Sequence, residues 1–268
     1  MQVACGQCRG CRLEQRRQWA MRIVHEASLH EDNCFLTLTY DDAHLPADRS
    51  LSKRDLQLFV KRLRKQEAKV DRRFRYFGVG EYGGRTGRPH YHLCMFGFDP
   101  GDKRYLASVG DHKVYLSPEV ERAWPLGLHQ VGSLTEKSAR YVAGYVQKKV
   151  HRAPGRATVD VVDRDSGQVF AVTPEFAQMS RRPGIGRGWI ERYRDEVVAG
   201  CEVVSEGRPT RAPSYYDRII GEVDPGALEE VKRERRRNVR RSDSTPERLA
   251  VREKVAAARE NLHARTVL

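Results

Sequence analysis

Two histidines in one short segment are the first residues of this sequence that can carry chemistry. Residues 88–97 read RPHYHLCMFG, a segment entered through a proline and closed by a glycine. Side chains alternate faces along a β-strand, so His90 and His92 should point the same way, about 6 to 7 Å apart. Two imidazoles at that spacing can share one divalent metal ion. A structural or surface pair of histidines has the same pattern, and this segment alone leaves both interpretations open.

A second group of reactive side chains lies about fifty residues further on, in residues 133–150, SLTEKSARYVAGYVQKKV. Thr135 is a suitable N-cap for a helix that begins here. Tyr141, Tyr145 and Lys148 stand at i, i+4 and i+7 and therefore share one side of that helix. The apolar stripe is separate and consists of Ala139, Val142, Ala143, Val146 and Val150. The tyrosines are thus not needed to fill a core, although two amphipathic tyrosines can also simply cover a helix edge.

A carboxylate precedes the histidine segment. Residues 74–82 have the pattern of a strand, and the glycine-rich run 83–87 predicts a turn into the histidine strand, which gives an antiparallel hairpin. Glu81, at the end of the incoming strand, can reach a metal held by His90 and His92 across that hairpin. The alternative is a solvated carboxylate at a strand end.

Three segments together resemble a known family. They are residues 34–40 (CFLTLTY), 80–92 (GEYGGRTGRPHYH) and 141–149 (YVAGYVQKK). A His-hydrophobic-His strand followed by a Tyr-x-x-x-Tyr-x-x-Lys helix resembles the HUH endonucleases. More closely, the chain resembles the replication-initiation proteins of the microviruses, small single-stranded DNA bacteriophages of the gokushovirus kind. Order and spacing agree as well, and the resemblance covers roughly residues 5 to 195.

The resemblance implies a rolling-circle replication initiator that nicks and joins single-stranded DNA. In such a protein a tyrosine attacks the phosphodiester, which leaves a 5′-phosphotyrosine link and a free 3′-hydroxyl. His90 and His92 would hold Mg²⁺ or Mn²⁺, with Glu81 as the third polar ligand that family members provide. Tyr141 and Tyr145 would be the nucleophiles. Tyr145 is favoured for the first cut because Lys148 follows it by one helical turn.

The element order is helix, strand, helix, two strands, strand and helix, which predicts an α+β fold with a central antiparallel sheet and flanking helices. The resemblance places the histidine strand centrally in an HUH-type, RRM-like sheet, with the tyrosine helix beside it. We expect an endonuclease domain over residues 1–199 and a basic, largely helical or mobile extension over residues 200–268. Residues 99–126 are polar and are interpreted as an irregular excursion.

Composition favours a polyanionic partner. The 268 residues include 49 Lys and Arg against 36 Asp and Glu, a net charge of +13, which favours nucleic acid before membrane. No apolar run approaches the roughly 20 residues needed to cross a bilayer, and the amino terminus does not have the pattern of a signal peptide. We therefore expect a cytosolic protein, and the resemblance makes that the host bacterial cytoplasm.

Origin DNA is the partner that the resemblance implies. The sequence has no G-x-x-x-x-G-K-[ST] phosphate loop, so we expect a host helicase and a host polymerase to act with this protein. Basic and aromatic residues near the motifs are candidates for contacting the DNA backbone and a stacked base. These candidates are Arg85, Arg88, Lys149, Arg181, Arg182, Arg187 and Trp189. The glycine- and arginine-rich segment that holds the last four can equally be an ordinary connection.

Cys5, Cys8 and Cys11 are spaced Cys-x-x-Cys-x-x-Cys. In a reducing compartment this spacing favours a metal, such as a structural zinc, over a disulfide. Zinc usually takes four ligands, and Cys34 or His25 would have to complete the set. Free thiols beside a helix start are the alternative.

Two other classes of protein remain open at the level of sequence. One is a basic nucleic-acid-binding module without catalytic activity. The other is a metal-dependent nuclease that activates water and forms no protein–DNA link. A plasmid relaxase or plasmid initiator would use the same tyrosine chemistry, but no third histidine accompanies the pair, which argues against a relaxase.

Overall fold

The computed structural model describes residues 4–110, 112–150, 157–205, 207–239 and 241–266, and for residues 146–150, 241, 244 and 260–266 it describes the backbone only. The chain forms two compact units. One is Trp19–Trp189, and the other combines Met1–Gln18 with Ile190–Leu268. The predicted domain boundary near residue 199 stays a prediction.

The helices are α1 (Arg9–Ala27), α2 (Lys53–Glu67), α3 (Pro118–Ala123), α4 (Glu136–Val150), α5 (Arg187–Arg192), α6 (Arg194–Gly200), α7 (Ser214–Val223), α8 (Pro225–Arg237) and α9 (Pro246–Thr266). The strands are β1 (Asn33–Tyr40), β2 (Arg75–Tyr82), β3 (Pro89–Phe96), β4 (Arg104–Val109), β5 (His112–Leu116), β6 (Gly127–Ser133), β7 (Val159–Val162), β8 (Val169–Val172), β9 (Phe176–Met179), β10 (Val203–Ser205) and β11 (Arg208–Thr210). None of the helices described here is both long enough and apolar enough to cross a membrane.

A seven-stranded antiparallel sheet organises the described part of Trp19–Trp189. Its strand order is β4-β5-β6-β1-β3-β2-β9, so the histidine strand β3 lies inside the sheet between β1 and β2. The register pairs Glu81 with His90 and Thr37 with His92. With α7, α8 and α9 near the carboxyl end, these elements confirm the predicted α+β fold and its helical extension.

Each face of the sheet is covered by its own apolar core. On one face, Leu38 of β1 and Tyr91 of β3 pack with Phe59 of α2 and Trp124 of α3. The alternation of buried residues along β1 places Cys34, Leu36, Leu38 and Tyr40 in this core. The buried side of α2 is as the sequence predicts, and Ser52 caps its start by accepting a hydrogen bond from the Asp55 N–H.

The opposite face carries the chemistry. Phe77 of β2 and Cys94 of β3 pack there with Ile23 of α1 and Val142 of α4. Side chains alternate along β3, so His90 and His92 share this face with Cys94 and lie under α4. The sheet therefore fixes the histidines, and the apolar stripe of α4 fixes the height of the tyrosine helix above them.

The interpretation of residues 99–126 as irregular was wrong. The segment holds β4, β5 and α3. All six residues of β4 are exposed, so the strand lacks the alternation of apolar and polar residues by which strands are recognised in sequences. The short strand β9, which pairs with β2, was missed for a similar reason, since four residues are too few to show a period.

We expect one pH effect on stability from a buried histidine. His25 stacks on Trp189 with ring centroids 3.7 Å apart, and burial lowers the pKa of His25 to about 4. The unfolded chain then binds a proton that the folded chain rejects, so stability is lost as pH falls below the unfolded pKa of about 6.5, by about 2 kcal/mol at pH 5. Urea unfolding of wild type and His25→Phe at pH 7 and pH 5 measures it.

The Phe variant keeps a ring against Trp189 but cannot titrate, so its pH dependence should be smaller by that amount. His112→Asn, which replaces an exposed histidine of β5, should retain the wild-type dependence. Equal slopes in wild type and His25→Phe would contradict the assignment.

Candidate metal and tyrosine site

The structure brings Glu81, His90 and His92 together on the α4 face of the sheet. Glu81 Oε1 lies 2.5 Å from His90 Nε2 and 3.1 Å from His92 Nε2. One potential ligand atom from each residue lies within 4.8 Å of the other two. The hairpin geometry expected from the glycine turn produces this convergence, because Glu81 and His90 are direct partners in the ladder.

Neighbouring groups orient both imidazoles. His90 Nδ1 is 3.1 Å from the Arg88 carbonyl oxygen, which can only accept, so Nδ1 carries the hydrogen and Nε2 presents its lone pair to the site. His92 Nδ1 is 3.0 Å from Thr37 Oγ1, and the Phe35 ring stacks on His92 at 5.4 Å. Such partners commonly set the orientation of metal-binding histidines.

Sequence reasoning missed Thr37 and Phe35 as supports of His92. The signal that was present is the alternation along β1, which puts both residues on the face opposite Leu36 and Leu38. What it lacked was the pairing register with β3.

The electrostatics of the cluster favour a cation. Burial by itself raises the pKa of Glu81, but contacts with His90 and His92 outweigh it and hold that pKa well below its ordinary range. Burial also lowers the pKa of His92, so this imidazole tends to be neutral. Glu81 Oε2 is buried and has no hydrogen-bond partner among the described residues. An ionised carboxylate with an unsatisfied oxygen, facing two imidazole nitrogens, is a donor set that fits a divalent metal ion.

The two tyrosines form a hydrogen-bonded chain that ends on this cluster. Tyr141 OH donates to Glu81 Oε1 over 2.7 Å and lies 3.5 Å from His92 Nε2. Tyr145 OH donates to Tyr141 OH over 2.9 Å. Burial, followed by the negative charge of Glu81, raises the pKa of both phenols well above its usual value. Tyr141 is therefore the tyrosine next to the cluster, and Tyr145 lies behind it.

The remaining predicted residues are distributed as follows. Lys148 and Lys149 belong to α4, but their side chains lie outside the described residues. Arg85 is exposed and forms a 3.5 Å ion pair with Asp165. Arg88 bonds to the Tyr40 carbonyl oxygen over 3.0 Å and to Asp42 over 2.7 Å, so its guanidinium already serves the fold.

The arginine-rich segment after β9 lines a cleft of its own. Arg181 and Arg182 face Arg64 and Tyr76 across a cavity of about 710 Å³, near the end of β2 opposite to Glu81. Arg187 begins α5 and does not line this cleft. Trp189 is half-buried with one face of its ring on His25, so the predicted stacking on a base would have to use the other face. The DNA-binding roles of these residues stay predictions.

A second cleft, of about 410 Å³, adjoins Tyr141 and was not foreseen. Two lysines of separate elements, Lys113 of β5 and Lys137 of α4, line it together with Phe35 and Gln130. Because β5 falls in the stretch interpreted as irregular, no sequence signal placed Lys113 near the tyrosines.

The three amino-terminal cysteines also come together. Cys8 Sγ is 3.5 Å and Cys5 Sγ 3.9 Å from Cys11 Sγ. Neither residue considered as a fourth ligand is in this cluster as described. Cys34 is buried in the core of the sheet, and His25 stacks on Trp189.

Comparison with known proteins links this geometry to a family. A family model described as a replication-associated protein of the ORF2 type matches residues 33–150, the stretch from β1 to α4 that holds the metal cluster and both tyrosines. The replication-associated protein VP4 of Bdellovibrio phage phiMH2K is 37% identical over 220 residues, 79% of this chain and 65% of the phage protein. The chain thus spans slightly less than two thirds of that relative.

Two further relatives carry related names. The replication-associated protein ORF2 of Spiroplasma virus 4 is 29% identical over 253 residues, 90% of this chain and 75% of its own length. The replication-associated protein ORF4 of Chlamydia phage 1 is 34% identical over 153 residues, 55% of this chain and 38% of its own length. No solved structure matches the chain.

The fold and the site define an α+β protein in which a central sheet holds a carboxylate and two histidines under a helix with two tyrosines. With the matches above, the chain belongs to the replication-associated proteins of bacteriophages.

Proposed function

We propose that this protein initiates rolling-circle replication of a phage genome by nicking and rejoining single-stranded origin DNA through a tyrosine. The observation that carries the proposal is the position of the Tyr141 hydroxyl, 2.7 Å from the carboxylate oxygen of Glu81 that also contacts both histidines. A nucleophile is thereby adjacent to a group of ligands that suits a phosphate-binding cation.

The metal we propose is Mg²⁺ or Mn²⁺, held by Glu81, His90 and His92. Carboxylate oxygen suits both ions, and the two imidazoles tilt the preference toward Mn²⁺. When bound, the ion supplies a Lewis acid that polarises the scissile phosphate and a template that orients it.

The proposed reaction exchanges one ester for another. Tyr141 Oη attacks phosphorus, the bond from phosphorus to the 3′ oxygen breaks, and the 5′-phosphate becomes linked to the tyrosine. The phenol loses one proton and the departing 3′ oxygen gains one, so no net proton is released. Because burial and the charge of Glu81 raise the pKa of Tyr141, the phenol ionises readily only when that negative charge is offset. Lys148 is proposed to support the developing charge.

Tyr145 has a separate role in this scheme. Its hydroxyl is 2.9 Å from that of Tyr141, so it can attack a second phosphodiester while the first link still exists. Both tyrosines would then serve in successive rounds, as the resemblance to microvirus initiators implies. We further propose that the protein acts in the cytoplasm of the bacterial host, with a host helicase and a host polymerase.

The decisive experiment incubates the protein with end-labelled single-stranded DNA from its own genome, including the origin, in Mn²⁺ or in EDTA. A denaturing gel should show a metal-dependent DNA–protein adduct that is absent from Tyr141→Phe/Tyr145→Phe. Cleavage without an adduct would instead identify a nuclease that activates water. Binding without cleavage would leave a basic nucleic-acid-binding module.

We expect the arginine-lined cleft to bind DNA phosphates. Arg64, Arg181 and Arg182 form no ion pair with the other residues whose side chains are described, so their charges are available to DNA. Replacing Arg181 and Arg182 by glutamine should weaken binding of single-stranded DNA about tenfold. It should also reduce the salt dependence of log K by about 1.4, because each phosphate that is no longer neutralised accounts for about 0.7. Fluorescence anisotropy at several salt concentrations measures both quantities.

Lys61→Gln/Lys65→Gln is the matched control, since it removes two exposed charges of α2 that line neither cleft. An unchanged salt slope in the arginine double variant would exclude this cleft from the DNA path.

A further inference from the structure

The cysteine cluster at the start of α1 lies outside the proposed nicking chemistry. Cys5 and Cys8 are exposed and Cys11 is half-buried, so no apolar core accounts for their proximity. Cys8 precedes α1 directly and Cys11 lies in its first turn. The backbone folds so that three thiols meet at the surface, where free cysteines have no packing reason to gather.

The distances between the sulfurs fit one metal ion. Zinc–thiolate bonds of about 2.3 Å in tetrahedral geometry place two sulfurs about 3.8 Å apart. The observed separations from Cys11 Sγ are 3.5 Å to Cys8 Sγ and 3.9 Å to Cys5 Sγ. A disulfide would need about 2.0 Å. An iron–sulfur cluster would bind each cysteine to a different iron and so spread the sulfurs further apart.

The surrounding groups favour thiolates. The backbone N–H groups of Gln7 and Cys8 donate to Cys5 Sγ over 3.4 and 3.2 Å, and these bonds lower the pKa of the Cys5 thiol to about 7. The contact with Cys8 has the opposite effect and raises the pKa of Cys11. Sulfurs this close cannot all ionise next to one another unless a cation lies between them.

We propose that Cys5, Cys8 and Cys11 bind one zinc ion through three thiolates, with the fourth position taken by solvent or an external ligand. Soft sulfur ligands select zinc over Mg²⁺ and Mn²⁺, so this ion is chemically distinct from the metal of the histidine site. Its role is to fix the turn over residues 5–8 onto the first turn of α1.

Zinc analysis of the purified full-length protein tests the proposal without using DNA cleavage. After dialysis against a small excess of zinc and gel filtration, elemental analysis should give about one tightly held zinc ion per chain. Cys8→Ser should lose it. Cys201→Ser, which changes a half-buried cysteine outside the cluster, should retain it. His90→Ala should also retain it, which separates this zinc from any held at the histidines.

Cobalt substitution of the wild-type protein gives a measurement that needs no variant. Bound Co²⁺ should show a thiolate-to-cobalt charge-transfer band with the intensity of three sulfur ligands, and zinc should abolish it. Zinc content that is unchanged in Cys8→Ser, or that is lost in His90→Ala, would overturn the proposal. So would wild-type protein that retains no zinc while all three thiols react as free thiols, or that selects copper(I) at the same sulfurs.

Discussion

Replacing Tyr141 by phenylalanine should slow the first cut of origin DNA about 100-fold or more, whereas Tyr145→Phe should leave it within about threefold. The reason is position, because Tyr141 OH contacts Glu81 and lies near His92, while Tyr145 OH reaches only the hydroxyl of Tyr141. A nucleophile displaced from the phosphate by even about 1 Å loses around two orders of magnitude in rate. Single-turnover formation of the DNA–protein adduct measures the first cut.

The two variants are matched controls for each other, since each removes one hydroxyl from the same helix face. Tyr145→Phe should still form the first adduct but fail to transfer the strand to a second tyrosine. The lysine spacing in the sequence favours the opposite order. If Tyr145→Phe abolished the first adduct and Tyr141→Phe did not, the order inferred from the structure would be wrong.

Glu81→Gln should reduce adduct formation by about 10² to 10³-fold at low Mn²⁺, because a neutral amide keeps the shape of the side chain but removes the charge that binds the cation. Raising the Mn²⁺ concentration should restore part of the activity. Wild-type protein should also gain thermal stability as Mn²⁺ is added, by about 3 kcal/mol when the ion is present at 100 times its Kd. The variant should lose most of that gain.

The metal-free variant tests the interpretation of the buried carboxylate. Glu81 Oε2 has no partner among the described residues, so without metal the neutral side chain should be no less stable than the wild type. Glu31→Gln, a change at an exposed carboxylate, should behave like wild type in both measurements. A Mn²⁺-dependent stabilisation of Glu81→Gln equal to that of wild type would show that Glu81 is not a ligand.

Short-range patterns carried most of the correct predictions from the sequence. Alternation along β1 and β3, the glycine turn before His90 and the N-cap Thr135 each act within a few residues, where backbone geometry alone decides which way a side chain points. Glu81 was reachable in this way because it is a hairpin neighbour of His90. The accessible strand β4 had no such pattern, and the sequence interpretation therefore failed there.

The sequence by itself determined the strand–turn–strand that carries Glu81, His90 and His92, and the helix that carries Tyr141 and Tyr145. Only the tertiary structure decided that Tyr141 is the tyrosine in contact with Glu81, that Thr37 supports His92, and that Lys113 lies in the cleft beside Tyr141. The physical reason is that these contacts depend on the register between distant strands and on the height at which α4 packs over the sheet. Both result from burying two apolar surfaces together, and no local period in the chain records them.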